Sequence, residues 1–302
     1  KDDLLKKTVA IFTGARSDYF LLVKLMKEIE SSAELELKVI VSGAHLSPEF
    51  GLSWEQIVED GFKISAKVEM LFSSGTPIGV SKSIGAGVMA FSDVLARLKP
   101  HVLLVLGDRF EAFSISQVAV IHNIPIAHIH GGEISHGSYD EIMRHCITQM
   151  ASLHFAATEE FRKRIIQLGK NPACVFNVGS LGVERILSEA KKKNVESIEN
   201  LELKVKKPFF VVCYHPVTRG KENPRRTFRE ILKAISNYRD HDIYISYPNA
   251  DNGSNEIIDE IELYRKKNKE KVHVFKSIVN DGFISLLKKC SLLIGNSSSG
   301  II

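Results

Sequence analysis

Short apolar runs alternate with longer amphipathic segments along most of this chain. An uninterrupted run of roughly four to eight apolar residues is typical of a strand buried on both faces of a parallel sheet, and apolar residues recurring every three or four positions are typical of a helix. Short, mainly apolar runs that fit strands cover residues 8–12, 37–41, 102–106, 124–129, 151–157 and 175–178. Helical spacing occupies residues 20–29, 81–98, 110–121 and 159–168. This alternation predicts an α/β fold built on a doubly wound parallel sheet.

A second series of apolar runs begins after a charged, poorly periodic stretch. That stretch spans residues 189–207 and mixes both signs of charge, and the runs that follow it read FFVVC, IYIS, VHVF and LLIG. Each domain needs a hydrophobic core of its own, and the two series can supply two. We therefore predict two Rossmann-like domains, an N-terminal one over residues 1–178 and a C-terminal one over residues 179–302.

Acidic side chains follow two strands that are predicted to be neighbours. Gly107 and Asp108 end the strand at residues 102–106, and Glu133 closes the turn HGGE after the strand at residues 124–129. Asp140 lies at the start of the next predicted helix. Because open α/β sheets bind ligands at the carboxyl ends of their strands, the three carboxylates are expected to converge on one edge of the sheet.

The start of that helix also has two purely structural interpretations. Ser138 and Glu141 have the spacing of a capping box, in which the two side chains satisfy backbone N–H groups at a helix start. Asp140 and Arg144, one turn apart, could form a surface ion pair worth about 0.3–0.5 kcal/mol. The spacing alone leaves these interpretations open beside the catalytic one.

Two turns offer groups that suit a phosphate. Arg16 follows the first strand beside a helix for which Ser17 is a plausible N-cap. The turn lacks the pattern G-x-G-x-x-G, which argues against a dinucleotide cofactor. Near the other end, Ser297 and Ser298 follow Gly295 at a predicted helix start, where they could cradle a phosphate or only cap the helix.

Composition and charge narrow the class of protein. The chain is 44% hydrophobic and 25% charged, an ordinary globular composition, and its net charge of +4 is spread out, so nucleic acid is not an expected partner. The four cysteines show no C-x-x-C spacing, which indicates reduced thiols. The first residues, KDDLLKKTVAIF, contain no long apolar segment. We therefore predict a cytoplasmic protein without membrane association.

Histidines near the acidic turns raise the possibility of a metal. His128 and His130 alternate onto one face of their strand, with His122, His136 and His145 nearby in sequence. A zinc site needs three or four converging ligands, and these histidines fall on different elements without a tightly spaced pair. The sequence therefore predicts no metal and no cofactor.

Seven motifs together carry a resemblance to a known family. In order they are GARSDY, GDRFE, HIHGGE, YDEIMRH, YHPVT, YPNADNGS and GNSSSG, and they extend over nearly the whole chain. The set resembles the hydrolysing UDP-N-acetylglucosamine 2-epimerases of sialic-acid biosynthesis. The resemblance implies two Rossmann-like domains of glycosyltransferase-B type, an active site in their cleft, release of UDP and N-acetylmannosamine, and a homodimer or homotetramer.

The resemblance also implies roles for individual residues. Positions that contact the nucleotide in the family correspond here to Arg16, Arg109, His215, Asn249, Ser297 and Ser298. Positions of the catalytic site correspond to Asp108, Glu133 and Asp140, with His130 and His215 beside them.

The sequence departs from the family pattern at two places. His130 stands where many relatives have Glu, so either His130 titrates in its place or Glu133 has a larger role. Relatives also continue after GNSSSG with a ribose-binding Glu and further strands and helices, and on that basis the C-terminal domain is expected to be incomplete as given. The alternatives are a 2-epimerase of a UDP-2,4-diacetamido sugar, a glycosyltransferase, and a non-catalytic UDP-sugar sensor.

Overall fold

The computed structural model describes residues 6–72, 75–191, 208–220, 223–275 and 280–297. The chain divides into two compact units, the first formed by Lys1–Phe72 and Ile78–Leu181 and the second by Ser73–Pro77 and Gly182–Ile302. The division after Leu181 falls three residues beyond the boundary that we placed at residue 178.

The first unit is built on a seven-stranded parallel sheet. Its strands are β1 (Lys7–Thr13), β2 (Leu35–Ser42), β3 (Ile64–Val68), β4 (Val102–Leu106), β5 (Ile126–Ile129), β6 (Leu153–Ala156) and β7 (Val175–Asn177), in the order β3-β2-β1-β4-β5-β6-β7. The chain winds outward from β1 to one side and then returns to continue from β4 on the other. The crevice expected at such a reversal lies at the carboxyl ends of β1 and β4.

Helices cover both faces of this sheet. They are α1 (Arg16–Ser31), α2 (Trp54–Glu59), α3 (Pro77–Leu98), α4 (Phe110–Ile121), α5 (Asp140–Met150) and α6 (Glu159–Gln167). Successive residues of β1 point to opposite faces: Phe12 packs in the cluster with Phe91 of α3, whereas Ile11 packs in the cluster with Leu22 of α1. The predicted α/β class with a doubly wound parallel sheet is confirmed.

Two elements of the first unit were not predicted, β3 and the short helix α2. The segment ISAKV of β3 alternates buried and less buried positions and carries the exposed Lys67, so it lacks the continuous apolar run of the other strands. Its place at the edge of the sheet explains the pattern, since an edge strand is less completely covered. A continuous apolar run therefore marks a strand buried on both faces, and alternation marks an edge strand.

Helix α3 is the one helix in the described part of the chain that is long and apolar enough to cross a membrane. Its Phe91 and Leu95 are fully buried within the first unit. Ile78 and Met89 of the same helix are exposed, so α3 is buried over only part of its surface.

The second unit contains a four-stranded parallel sheet whose strand order repeats that of the first four strands of the first unit. Its strands are β8 (Phe209–Cys213), β9 (Asp242–Ser246), β10 (Val272–Phe275) and β11 (Leu292–Gly295), in the order β10-β9-β8-β11. Its helices are α7 (Leu181–Lys191), α8 (Pro224–Ser236), α9 (Ser254–Lys267) and α10 (Asn280–Lys289). The reversal here lies between β8 and β11, so the carboxyl ends of these two strands form the corresponding crevice.

Candidate active site

Asp108 lies at the carboxyl end of β4 and forms an ion pair with a residue of α5. Gly107, with φ of +74°, turns the chain out of the strand, a conformation that glycine adopts without strain. The Asp108 carboxylate accepts a hydrogen bond from Nη2 of Arg144, which also donates to Ser135 Oγ at 3.1 Å. Arg144 is only 6% exposed, and its Nε and Nη1 have no hydrogen-bond partner within the described residues. This guanidinium holds Asp108 at the carboxyl end of β4.

A second acid–base pair follows β5. His130 has φ of +62°, a left-handed conformation that is uncommon outside glycine, and its backbone N–H donates to Phe155 O at 2.9 Å. Its Nδ1 lies 2.9 Å from Oε1 of Glu133. A Cβ on Gly132 would lie 2.5 Å from Phe161 O, so the turn requires glycine there. The turn thus brings the predicted His130 and Glu133 together.

Asp140 is the first residue of α5, and its neighbours differ from both structural interpretations. The N-cap is Tyr139, so Ser138 and Glu141 do not occupy the capping-box positions, and that prediction was wrong because the helix begins later than assumed. Ser138 Oγ instead donates to Asp140 Oδ2 at 2.7 Å and accepts from the Asp140 backbone N–H at 3.1 Å. Arg144 is buried and pairs with Asp108, so its environment is not that of a solvent-exposed ion pair with Asp140.

Arg16 is the first residue of α1, beside the turn after β1. The N-cap is Ala15 rather than the predicted Ser17, and the Asp18 carboxylate accepts from the backbone N–H groups of Gly14 and Ala15 at 3.2 and 3.1 Å. Burial lowers the pKa of the Arg16 guanidinium to about 10. Burial also raises the pKa of the Asp18 carboxyl to about 6, a shift that the charge of Arg109 opposes. The turn therefore contains a buried acid that titrates near neutrality.

Arg109 is the N-cap of α4 and is tied to a buried glutamate. Its Nε and Nη2 lie 3.3 and 3.4 Å from the two carboxylate oxygens of Glu111, which is fully buried. A Cβ on Gly43 would approach Glu111 Oε1 to 2.9 Å, so the glutamate is enclosed between the turns that follow β1 and β2. The Glu111 carboxylate therefore holds the planar Arg109 guanidinium in one orientation.

In the second unit, His215 follows β8 and is held by neutral groups. Its backbone N–H donates to Asn296 Oδ1 at 2.8 Å, and its carbonyl accepts from Asn296 Nδ2 at 2.9 Å. The backbone N–H of Asn249 donates to His215 Nδ1 at 3.4 Å, which leaves Nε2 as the protonated nitrogen of the neutral ring. The structure thus brings the predicted His215 and Asn249 together and adds Asn296.

The remaining predicted residues are the serines after β11. A Cβ on Gly295 would lie 1.9 Å from Cys213 O, so glycine is required for the close approach of β11 to β8. Ser297 lies two residues after Gly295 and is partly buried. Ser298 lies outside the described residues. Among the residues that the structure describes, no group of three or more His, Cys, Asp and Glu side chains could hold a metal ion.

Four residues of these turns were not predicted from the sequence, namely Arg144 as a partner of Asp108, and Glu111, Asp18 and Asn296. Two signals were available: Glu111 is an acidic residue in an otherwise apolar helix, and Asn296 lies within the motif GNSSSG. The Arg144–Asp108 pair joins residues 36 positions apart and had no local signal.

Two parallel α/β sheets with polar residues at the carboxyl ends of their strands define a protein of the glycosyltransferase-B-like class. The family described as UDP-N-acetylglucosamine 2-epimerase matches residues 27–302, and the chain belongs to that family.

Curated relatives agree with this assignment, and solved structures show a similar fold. The chain is 36% identical over 298 residues to a GDP/UDP-N,N'-diacetylbacillosamine 2-epimerase (hydrolyzing) of Campylobacter jejuni, with 98% of this chain and 77% of that protein covered. It is 36% identical over 300 residues to polysialic acid biosynthesis protein P7 of Escherichia coli, with coverage of 98% and 75%. Its fold is similar, with a TM-score of 0.76 and 21% identity, to a UDP-GlcNAc 2-epimerase of Methanocaldococcus jannaschii solved with UDP-GlcNAc and UDP, with coverage of 97% and 79%.

Proposed function

We propose that this protein is a hydrolysing 2-epimerase that converts UDP-N-acetylglucosamine to N-acetylmannosamine and UDP. The observation that carries the proposal is the pairing of Asp108 with Arg144 and of Glu133 with His130 in the turns after β4 and β5. Carboxylates fixed by basic partners are the groups that a reaction with cationic character and proton transfer requires.

The chemistry at the sugar explains this need. No carbonyl adjoins C2 of an N-acetylglucosaminyl group, so its proton is weakly acidic. Departure of UDP with the electron pair of the C1–O bond builds positive charge at C1, which acidifies the C2 proton. A base then removes that proton, and the electrons of the C2–H bond form the C1=C2 double bond of 2-acetamidoglucal. Addition of water across this bond, with hydroxyl to C1 and a proton to the opposite face of C2, gives N-acetylmannosamine.

We assign the steps to residues according to their partners. Asp108, held by Arg144, faces the charge that develops at C1, and its carboxylate stabilises that charge. The His130 ring and the Glu133 carboxylate lie 2.9 Å apart, and we assign to these two groups the removal of the C2 proton and its return. Asp140 supplies a further carboxylate for the hydration step.

We assign binding of UDP to the cationic and N–H-rich turns. In the first unit these groups are Arg16 and Arg109, whose guanidinium groups match the geometry of a diphosphate. In the second unit they are His215, Asn249 and the serines that begin with Ser297. Two cationic side chains neutralise the leaving group in the manner of a metal ion, so the assignment includes none.

A second candidate substrate is a UDP-2,4-diacetamido sugar. The Campylobacter jejuni relative, whose name specifies diacetylbacillosamine, is as similar to this chain as the Escherichia coli one, at 36% identity. Both substrates carry UDP at C1 and an acetamido group at C2, so the same steps apply to each.

One assay separates these possibilities. The protein is incubated with either UDP-sugar and no acceptor, free UDP is measured, and the sugar product is identified by NMR. The proposal predicts UDP release with N-acetylmannosamine from UDP-N-acetylglucosamine, and faster turnover of the diacetamido sugar would favour the second candidate. UDP release only after an acceptor is added would identify a glycosyltransferase, and binding without turnover of either sugar would identify a sensor.

A further inference from the structure

His128 of β5 is fully buried and forms a hydrogen bond to the turn that carries Asp108. Its Nε2 lies 2.7 Å from the carbonyl oxygen of Gly107. A carbonyl oxygen only accepts hydrogen bonds, so Nε2 carries the proton and donates. The Gly107 backbone N–H donates to Ile129 O at 3.0 Å. The residue before Asp108 is therefore held by β5 at both its N–H and its carbonyl group.

The other ring nitrogen connects His128 to α5. Nδ1 lies 3.2 Å from Oγ1 of Thr148, which is also fully buried. With the proton on Nε2, Nδ1 is an acceptor and the threonine hydroxyl donates. Burial lowers the pKa of His128 to about 3, a shift that its hydrogen bond to Gly107 opposes and the nearby Arg144 guanidinium reinforces. The ring is neutral at physiological pH and satisfied at both nitrogens.

These contacts close a ring through the candidate active site. Thr148 lies one turn after Arg144 on α5, and both side chains are buried on the same side of the helix. Arg144 pairs with Asp108, which follows Gly107 in the chain. The Gly107 carbonyl accepts a hydrogen bond from His128, and the other ring nitrogen of His128 accepts one from Thr148. The orientation of Asp108 relative to Arg144 thus depends on a bond that involves neither of them.

The turn after β5 packs against the same two side chains. A Cβ on Gly131 would lie 3.0 Å from both Nδ1 of His128 and Oγ1 of Thr148. Gly131 separates His130 from Gly132 in the turn that ends at Glu133. Both acid–base turns are therefore in contact with one imidazole.

We propose that His128 is a positioning residue: its hydrogen bonds to Gly107 and Thr148 hold Asp108, Arg144 and the His130–Glu133 turn in their reactive arrangement. The proposal rests on the proposed function, because the arrangement matters for turnover only if these groups perform the chemistry. The competing interpretation is a core histidine whose replacement weakens the whole unit equally. The two differ in what His128 variants do to kcat, to UDP binding and to local backbone protection.

The variants are chosen as matched pairs. His128→Gln keeps an amide N–H that can reach the Gly107 carbonyl, whereas His128→Leu fills similar space without a donor. We expect His128→Leu to lower kcat by about 10- to 100-fold while KM and the dissociation constant of UDP change less than about twofold, and His128→Gln to recover most of the rate. Thr148→Val should lower kcat by less, and Thr148→Ser, which keeps the hydroxyl, should match the parent protein.

Hydrogen–deuterium exchange provides a readout that does not depend on turnover. In His128→Leu, peptides covering residues 106–110 and 130–135 should exchange faster than in the parent, while peptides of α1 exchange as before. The proposal is overturned by an unchanged kcat in His128→Leu, or by a kcat in His128→Gln no higher than that of His128→Leu. Loss of protection from exchange throughout the first unit would also overturn it. If the parent protein turns over neither UDP-sugar, the proposed function fails, and the exchange data alone decide whether His128 couples the two turns.

Discussion

The carboxyl edges of the two sheets share one topology and differ in chemistry. In each sheet the direction of winding reverses between the first and the fourth strand of the unit, counted along the chain. These strands are β1 and β4 in the first unit and β8 and β11 in the second. In the first unit the described contacts there join ionisable side chains, as in the pairs Asp108–Arg144 and Arg109–Glu111. In the second unit Asn296 holds the backbone of His215 through its amide. At the first edge these contacts are ion pairs, and at the second edge they are hydrogen bonds of a neutral amide.

The largest expected effect comes from removing a charge at the first edge. Asp108→Asn keeps the size of the side chain and an acceptor for Arg144 but removes the carboxylate. We expect kcat to fall by about 10²–10⁴-fold, the range for loss of a group that acts in acid–base or electrostatic catalysis, with UDP binding nearly unchanged. Steady-state kinetics and calorimetric titration with UDP measure the two quantities. Asp93→Asn, at an exposed position of α3, is the control and should retain parental kcat.

At the second edge the largest effect should be on stability. Gly295→Ala would place a Cβ 1.9 Å from Cys213 O, in a residue with φ of +146°. Strain and overpacking of about 1–3 kcal/mol each predict a loss of about 3 kcal/mol or more in the free energy of unfolding of the second unit. Chemical denaturation followed by hydrogen exchange assigns the loss to a unit.

The control for this variant is Gly169→Ala. Gly169 also has positive φ, at +93°, but a Cβ there would meet nothing within 4 Å, so only the strain of about 1 kcal/mol remains. Equal losses in the two variants would contradict the close-approach explanation.

The pH dependence of stability should distinguish the edges through Asp18. Burial raises its pKa from 3.8 to about 6, so between these pH values the folded protein binds more protons than the unfolded chain. Stability contributed by Asp18 is therefore highest below about pH 4 and falls as the pH rises to about 6. Asp18→Asn keeps an acceptor for the two backbone N–H groups and removes the loss of stability that accompanies ionisation of the buried carboxyl. The variant should gain on the parent by on the order of 2 kcal/mol between pH 4 and 6, with a constant difference above.

Denaturant unfolding at each pH measures that difference. Taking the difference between the two proteins removes the contributions of His45 and His128, which burial holds at a pKa of about 3 and which destabilise the fold as the pH falls. A difference that stays flat from pH 4 to 8 would show that Asp18 is not a buried titrating acid.

The smallest expected effect is that of Asn296→Ala. The variant loses two hydrogen bonds to the backbone of His215, each worth about 0.5–1.5 kcal/mol, and should weaken UDP binding by about tenfold while kcat at saturation stays within about twofold. Because the amide is neutral, its effect on stability should not vary between pH 4 and 8. Asn296→Asp restores the acceptor but sets a carboxylate oxygen against the His215 carbonyl, so it should not rescue binding. A fall in kcat larger than the fall in affinity would remove the contrast between the edges.

Prediction of the fold from sequence succeeded where burial leaves a local pattern. Strands covered on both faces, such as β4 and β8, appear as continuous apolar runs, and all four strands of the second sheet were anticipated in this way. The edge strand β3 alternates and was missed. Helix starts were the other weak point, because the capping group of α1 comes from Asp18 within the helix and not from the residue before it.

The candidate site was predictable in part for a similar reason. Asp108 and Glu133 could be placed because they lie in the short turns after two strands, and carboxyl ends of parallel strands share an edge. The partners that orient these groups come from distant parts of the chain: Arg144 is 36 residues from Asp108, and Asn296 is 81 residues from His215. Tertiary packing brings such pairs together, and the spacing of the two residues in the sequence does not indicate that they are in contact.

The central claim, that the carboxylates of the first edge carry out elimination and hydration at C1 and C2, is tested most directly by the fate of the C2 hydrogen. The reaction is run in D₂O with UDP-N-acetylglucosamine and no acceptor, and the released sugar is examined by NMR. Because the C2 proton is removed and replaced from solvent, we expect N-acetylmannosamine carrying one deuterium at C2, together with free UDP. Release of UDP with N-acetylglucosamine that retains its original hydrogen at C2 would identify simple hydrolysis and contradict the claim.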